Sequence, residues 1–459
     1  MQEKLKNIVN EMVQPFLNLF RVSRSMWGIN ISYLIEGLVY FGMLTLMLMY
    51  FNNYVKLDDI AASQMVGFLT AGITLAMLFL GATVDWIGIR KSLILSIILM
   101  LIGRLILTIS PSVITNGGLF SSLHIISFLG ILGIILGYGI YQPACYAAVK
   151  QFTDKNDAAM GYAMLYALMN LGGFLPGIIS PPVRKYVDSL YPGMGILGVY
   201  WIYIVFTILG LIAVIILLTK NAIKKDTKTI INHSDEDDPT ASLSAKEKLQ
   251  YYIKNFPLRD LRFMYFIFIL IPVQTLFAHN WLTLPVYCER AFQGGIVSEN
   301  FEFFSNINPL LIFILTPIVA TYTAQKNTYQ MMIMGTLIMA LPAFILASGP
   351  TLTNLLLYLF IMTIGEAMWQ PRFLQWVAEI APKGMTGIYM GLGQFPWFLT
   401  KIITSLYSGW FLMNYCPDNV PLDKLNTEFM WLIYGFIAII SPIGLILAKN
   451  WMIKGFQEK

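Results

Sequence analysis

Two glutamates, two arginines, a lysine and a histidine stand inside stretches that are otherwise almost wholly apolar, and their chemistry needs explaining first. Glu36, Arg104, Glu366, Arg372, Lys401 and His279 each fall within a run long enough to cross a bilayer. A charge in the middle of such a run is unfavourable by about 2.5–3.5 kcal/mol on insertion scales, so it requires a partner or a watery cavity. At helical rise Glu36 lies about 14 Å along the first run and Arg104 about 18 Å along the third. Arg104 can neutralise a carboxylate on a neighbouring helix or line a cavity near the midplane, and both readings stay open. Arg372 can snorkel towards one face and Lys401 towards the other. His279 reads more readily as an interhelix hydrogen-bonding residue than as a proton carrier. Glu36 and Glu366 have no headgroup within reach, and proton exchange is the chemistry open to carboxylates so placed. Burial disfavours a charged carboxylate and a nearby arginine favours it, so a motion changing either contact captures or releases a proton.

The elements that must hold these residues are membrane spans. With 57% hydrophobic and 12% charged residues the chain is not a soluble globular one. A span needs about 20 mostly apolar residues, and such long apolar runs read as helices rather than barrel strands. The spans are expected near 27–51, 61–84, 92–110, 121–149, 158–181 and 196–218, and then near 260–286, 303–324, 329–348, 353–380, 384–412 and 427–448. This predicts an all-α membrane protein with twelve transmembrane helices in two six-helix bundles, 27–218 and 260–448. Segment 1–26 reads as an amphipathic helix on the membrane surface or a polar tail. Segment 219–259 reads as a linker with an acidic, Pro-containing stretch and a short helix opening at the Ser244-Ala-Lys-Glu247 capping box. Residues 449–459 form a tail. Basic residues divide twenty-two against five between the two sides, which places both termini, the linker and the tail in the cytoplasm of a cell (inner) membrane protein. Cys145, Cys288 and Cys416 make no disulfide framework. No Walker loop and no metal-ligand spacing occur, so no cofactor or metal, no enzyme activity and no nucleic-acid partner is expected.

Between the second and third spans stands Gly81-Ala-Thr-Val-Asp85-Trp-Ile-Gly88-Ile-Arg90-Lys91. It resembles the loop motif of the major facilitator superfamily, with Trp86 where a basic residue is usual. Its glycines permit a tight turn, and Asp85 and Arg90 are suited to charge-assisted bonds at helix ends, a latch between bundles. Four further stretches resemble the proton-coupled oligopeptide transporters, a branch of that superfamily. Glu36-Gly-Leu-Val-Tyr40-Phe41-Gly42-Met43 is similar to E-R-F-x-Y-Y-G-M. Gly161-Tyr162-Ala-Met-Leu-Tyr166-Ala-Leu-Met-Asn170-Leu-Gly172 is similar to G-F-x-x-F-Y-x-x-I-N-x-G. Ser305-Asn-Ile-Asn308-Pro309 resembles S-x-N-P, and Gly365-Glu366 with Pro371, Ala381-Pro382-Lys383 and Met390-Gly391 resembles the tenth and eleventh helices.

The resemblance implies a major facilitator fold and symport of a small peptide or peptide-like polar solute with protons, by alternating access. It assigns substrate contacts to Asn170, Asn308 and Glu366. Proton coupling would rest on Glu36 and Glu366. Tyr33, Tyr40, Tyr141, Tyr166 and Trp369 would wall the cavity, and Gln142, His279 and Asn280 stand where the family carries its substrate- and proton-binding groups. The departures are as informative. The family's E-x-x-E-R reads Tyr33, Glu36 and Gly37; the lysine of its K-P dipeptide is Gln142; the acidic seventh-helix residue is replaced around Ala278-His279-Asn280. Arg104, Arg372 or Lys401 would then supply the missing positive charge. The expected partners are a small-molecule substrate, protons and the lipid bilayer, with the protein a monomer. The alternatives are a proton-driven exporter or importer of another small molecule (drug, lipid, nucleoside, sugar or muropeptide) and a non-transporting sensor on the same scaffold.

Overall fold

The computed structural model describes residues 23–457 except 154, 228–249, 252–253, 255, 324–325, 381–388 and 390–391. The expected surface helix before residue 23, the capping box at 244–247, and the motif residues Ala381, Pro382, Lys383, Met390 and Gly391 lie outside the described residues. The first half of the sequence contributes α1 (Arg24–Asn53), α2 (Asp59–Leu80), α3 (Thr83–Ile87), α4 (Ile89–Val113), α5 (Ser122–Phe152), α6 (Lys155–Leu190), α7 (Gly195–Leu217) and α8 (Lys220–Asp226). The second half contributes α9 (Leu261–Ile269), α10 (Ile271–Leu282), α11 (Leu284–Ala291), α12 (Ile296–Glu299), α13 (Phe301–Ser305) and α14 (Ile307–Thr323). It continues with α15 (Thr328–Ala340), α16 (Ala343–Leu346), α17 (Leu352–Ile380), α18 (Phe395–Tyr415), α19 (Thr427–Leu447) and α20 (Lys449–Gln457). No strand occurs among the described residues.

Eleven helices among these residues are long and apolar enough to cross a membrane. The remaining expected span, 384–412, falls partly on residues outside the description and partly on α18, so eleven stand where twelve were expected. The fifth span also runs further than expected, from Met164 to Leu190, which brings Arg184 and Lys185 into the helix rather than the following loop.

Local chemistry explains where the helices start and break. Ser23, Asp58, Ser121 and Asn327 each accept a bond from a backbone N–H in the first turn of α1, α2, α5 and α15, satisfying a donor that the helix itself leaves open. Gly88 divides α3 from α4 at φ 80° and ψ 159°, a conformation that any Cβ would oppose. The seventh and eighth spans are broken rather than continuous. α10, α11 and α14 each restart with a proline in the first turn, Pro272, Pro285 and Pro309, where the missing N–H costs no helical bond.

The chain forms two compact units. Unit 1 comprises residues 1–230, 279–314 and 402–427; unit 2 comprises 231–278, 315–401 and 428–459. In unit 1, small residues bring α4 and α5 close: a Cβ on Gly103 would stand 2.4 Å from the Gly130 carbonyl oxygen. One end of this unit carries Ser23, the 81–89 turn and residues 218–226, and is called here the terminal face. The opposite face carries the α1–α2, α4–α5 and α6–α7 connections. In unit 2, Tyr329 donates to the Leu445 carbonyl at 2.8 Å and Ser441 accepts from Val273 N at 2.9 Å, tying α15 and α10 to α19.

Candidate functional site

Glu36 and Arg104 meet in the interior of unit 1. The guanidinium of Arg104, from α4, pairs with both carboxylate oxygens of Glu36, from α1, and Arg104 Nη1 donates to Thr207 Oγ1 of α7 at 2.7 Å. The side chains are 1% and 4% exposed, so the pair is sealed from solvent. A bidentate pair of this kind satisfies two carboxylate oxygens at once, and its separation in a low dielectric is strongly unfavourable. Tyr40 and Tyr138 pack beside it with ring centroids 4.9 Å apart.

A polar face lies alongside, formed by α1, α5 and α6. Tyr33 is buried and stacks on Tyr141 at 6.2 Å, and Tyr141 shares a 2.8 Å hydroxyl bond with Ser32. Gln142 Nε2 reaches the hydroxyls of Tyr33 at 3.4 Å and Tyr146 at 3.3 Å. Tyr162 donates to the Tyr146 carbonyl, and Asn170 Nδ2 donates to the Tyr166 carbonyl at 2.9 Å. Tyr162, Tyr166 and Asn170 recur every four residues, one face of a helix. Tyr146, Tyr162 and Tyr166 are 42%, 40% and 52% exposed. α5 and α6 therefore present phenols and amides outward, with Tyr33 of α1 buried behind them, whereas Glu36 and Arg104 are turned inward.

The position where the resemblance implies an arginine is closed by packing. A Cβ on Gly37 would stand 3.0 Å from the Met169 carbonyl oxygen, and one on Gly172 would stand 2.5 Å from that of Leu34. α1 and α6 cross here backbone to backbone, and a long side chain has no room.

The other expected site residues divide between the two units. In unit 1, His279 is buried with both ring nitrogens engaged, Nδ1 with Thr283 Oγ1 at 2.7 Å and Nε2 with the Tyr407 hydroxyl at 3.0 Å. That is the interhelix arrangement, and it holds the ring between α10 and α18. Asn280 is buried, and neither its amide oxygen nor its nitrogen has a protein partner among the described residues; a buried amide in that state is bonded by water or ligand. Asn308 is buried in the same unit. In unit 2, Glu366 is 3% exposed. Trp369 does not wall an open surface: it is buried, its indole N–H points at Met339 Sδ at 3.1 Å, and its Cβ closes on Gly335. Arg372 donates to the Thr323 carbonyl at 2.8 Å, joining α17 to the end of α14. Lys401 is half-buried on α18. Among the described residues no group of acidic, histidine and cysteine side chains could hold a metal.

The model of the Major Facilitator Superfamily matches residues 29–405 of the sequence. The chain belongs to the major facilitator superfamily. It is an integral membrane protein of a family of transporters, not of enzymes. Among solved members of the superfamily, the fold is similar to a peptide transporter, POT, in complex with sulfate (TM-score 0.70, 16% identity, 94% of this chain and 95% of that one). It is also similar to a POT family transporter in complex with 5-aminolevulinic acid (TM-score 0.68, 18% identity, 94% and 97%). In sequence it is 28% identical over 181 residues to solute carrier family 15 member 1 of Oryctolagus cuniculus, covering 37% of this chain and 25% of the relative. It is 25% identical over 180 residues to the peptide transporter YePEPT of Yersinia enterocolitica, covering 38% and 33%. The matches thus span a quarter to a third of these relatives' lengths, and they gather on the peptide-transporter branch of the superfamily.

The superfamily's loop motif is built differently from the expected latch. Gly81 packs against Pro143 and Gly88 makes the turn, but Asp85 is exposed and neither it nor Arg90 forms a hydrogen bond through its side chain to a described residue. The pairs that do tie the two halves of the sequence together lie at the opposite face, inside unit 1. Arg290 holds Asp59 through both oxygens, at 2.6 and 2.9 Å, and also the Cys416 carbonyl at 3.0 Å. Arg184 holds Glu302, and Lys185 reaches Glu299 at 3.3 Å. Asn306 and Thr45 bond at 3.1 Å. Sequence reasoning placed Arg184, Lys185 and Arg290 in loops and so missed these pairs. Arg184 and Lys185 lie six and five residues before the end of α6 at Leu190 and just beyond Pro181 and Pro182, residues that ordinarily end a helix, so the local sequence pointed away from a helical placement. All three cysteines are free.

Proposed function

We propose that this protein is a secondary active transporter that moves a small, polar, peptide-like solute across the membrane by alternating access, coupled to protons. The observation that carries the reading is the outward-turned face of phenols and amides on α5 and α6, backed by the buried Tyr33 of α1 and set inside spans that are otherwise apolar. Such groups are costly against lipid and favourable against a hydrated solute. The likeness of the whole fold to a peptide transporter, POT, and to a POT family transporter in complex with 5-aminolevulinic acid supports the same solute class. The orphaned amide of Asn280 supports a ligand contact from the seventh span. The basic-residue bias supports a cell inner membrane with both termini cytoplasmic, and the sequence supports two six-helix halves of a twelve-span monomer.

The arrangement of Glu36 favours Glu366 as the proton carrier. Both oxygens of the Glu36 carboxylate are committed to the buried guanidinium of Arg104, a structural contact. Uptake of a dipeptide into proteoliposomes under an imposed pH gradient tests this reading. Glu366→Gln is expected to abolish concentrative uptake while leaving counterflow exchange. Concentrative uptake by Glu366→Gln at the wild-type rate would return the coupling role to another group.

A further inference from the structure

We infer that the face formed by α1, α5 and α6 recognises an uncharged part of the solute, an amide- or hydroxyl-bearing group such as the capped carboxyl end of a peptide, and not a free carboxylate. The inference rests on the transport reading and narrows its solute class.

It follows from an inventory of charge on that face. Tyr33, Gln142, Tyr146 and Tyr162 form one connected patch, and Tyr166 and Asn170 extend it by two turns of α6. None of the six carries a charge. The one cation at this depth in the first six spans, Arg104, is 1% exposed and spent on Glu36 and Thr207. Gly37 carries no side chain, and a Cβ there would already stand 3.0 Å from the Met169 carbonyl oxygen. The remaining basic residues of these three helices lie at their ends. Arg24 donates to the Ile216 carbonyl, and Arg184 and Lys185 are held by Glu302 and Glu299. Lys150 and Lys155 lie at the terminal face, Lys150 about 12 Å along α5 from Gln142.

The energetics of such a patch favour a neutral guest. An anion brought against these side chains without a counter-charge loses part of its hydration and regains only neutral hydrogen bonds. An amide or hydroxyl loses far less, and phenols and carboxamides can replace its water bonds in both directions, as donors and acceptors. Exposed tyrosine rings add apolar area for the guest's hydrocarbon surface.

The test uses the purified full-length protein and matched ligand pairs that differ in one anionic group: alanylalanine amide with alanylalanine, glucose with glucuronate, and uridine with uridine monophosphate. Affinity is read from the rise in melting temperature with concentration. In whichever pair binds, the member without the added negative charge is expected to bind at least about tenfold more tightly. Gln142→Lys, which installs a cation in the patch, is expected to shift that ratio about tenfold towards the anionic member, and Lys150→Ala to leave it unchanged. Tighter binding of the anionic member by the wild-type protein overturns the inference and leaves the transport reading standing. Tighter binding of the member without the anionic group, with no flux into proteoliposomes, upholds the inference and removes the transport reading. Absence of binding by either member of all three pairs overturns both.

Discussion

The Glu36–Arg104 pair and the Asp59–Arg290 pair are both bidentate and both buried, yet they join different parts of the chain. Their side chains are 4% and 1% exposed in the first, 8% and 5% in the second, so burial does not separate them. Connectivity does. Glu36, Arg104 and Thr207 come from α1, α4 and α7, all within the first six spans, and the rocking of one half against the other that the proposed mechanism requires would leave their distances unchanged. Asp59 and Arg290 come from opposite halves of the sequence, as do Arg184 and Glu302. These contacts must break whenever the halves part at that face. On the proposed alternating-access reading, the first pair is a fixture within one half of the sequence, and the second a contact of one conformational state.

The largest effect expected is on the fixture. Glu36→Gln leaves Arg104 buried without its counter-charge and should cost about 3–5 kcal/mol, read as a fall in melting temperature of the detergent-purified protein. The paired replacement of Glu36 by Leu and Arg104 by Met should recover most of that loss, because two apolar side chains of similar volume need no compensation. A paired variant as unstable as the single one would mean that the carboxylate serves more than its arginine.

The second effect sharpens the contrast through access rather than stability. Arg290→Ala removes the clasp on Asp59 and on the Cys416 carbonyl. Burial pushes the Cys416 thiol up to about 12, so the wild-type protein should react slowly with a membrane-impermeant maleimide. Arg290→Ala should raise that rate at least about tenfold, the mark of a shift of roughly 1.4 kcal/mol towards an open state. Glu36→Gln should leave the rate as it was. Equal acceleration by both variants would break the distinction drawn here.

A smaller effect, dependent on pH, is expected at Glu289, which follows the seventh span. Burial pushes its carboxyl up to about 7, with Arg290 pulling it down and Asp418 pushing it up. The folded protein therefore holds this proton more tightly than the unfolded chain does. The cost is absent below about pH 4.5, grows as pH rises to 7, and is constant above that. Glu289→Gln should match the wild type in melting temperature near pH 4.5 and exceed it above pH 7, by up to about 2–3 kcal/mol. The smallest effect belongs to the exposed loop. Asp85→Asn should change stability by less than about 0.5 kcal/mol, since its carboxylate meets no described partner.

Much of the fold was legible in the residues because the bilayer restricts the solutions so strongly. A run such as Gly195–Leu217 can only be a spanning helix, and prolines 272, 285 and 309 mark where the seventh and eighth spans restart. The depth of Glu36 and Arg104 along their runs was legible too, as was their need for a partner or a cavity. Which of those two they obtained was not, because spacing within one helix says nothing about the angle at which another crosses it. The stripe of Tyr162, Tyr166 and Asn170 was written at a helical period, but Tyr146 joins it only through tertiary contact. Trp369 shows the converse: its sequence context placed it at a cavity, and packing against Gly335 and Met339 placed it in a core.

By itself, then, the sequence determined that this chain lives in a membrane, that it is helical, and that a handful of polar groups are stranded in its interior, since hydrophobic length and the cost of buried charge are properties of the chain alone. Only the tertiary structure decided which of those groups neutralise one another and which face outward. That choice is made by helix crossings such as Gly37 on Met169, where a few tenths of an ångström between backbones decide whether a side chain has anywhere to go.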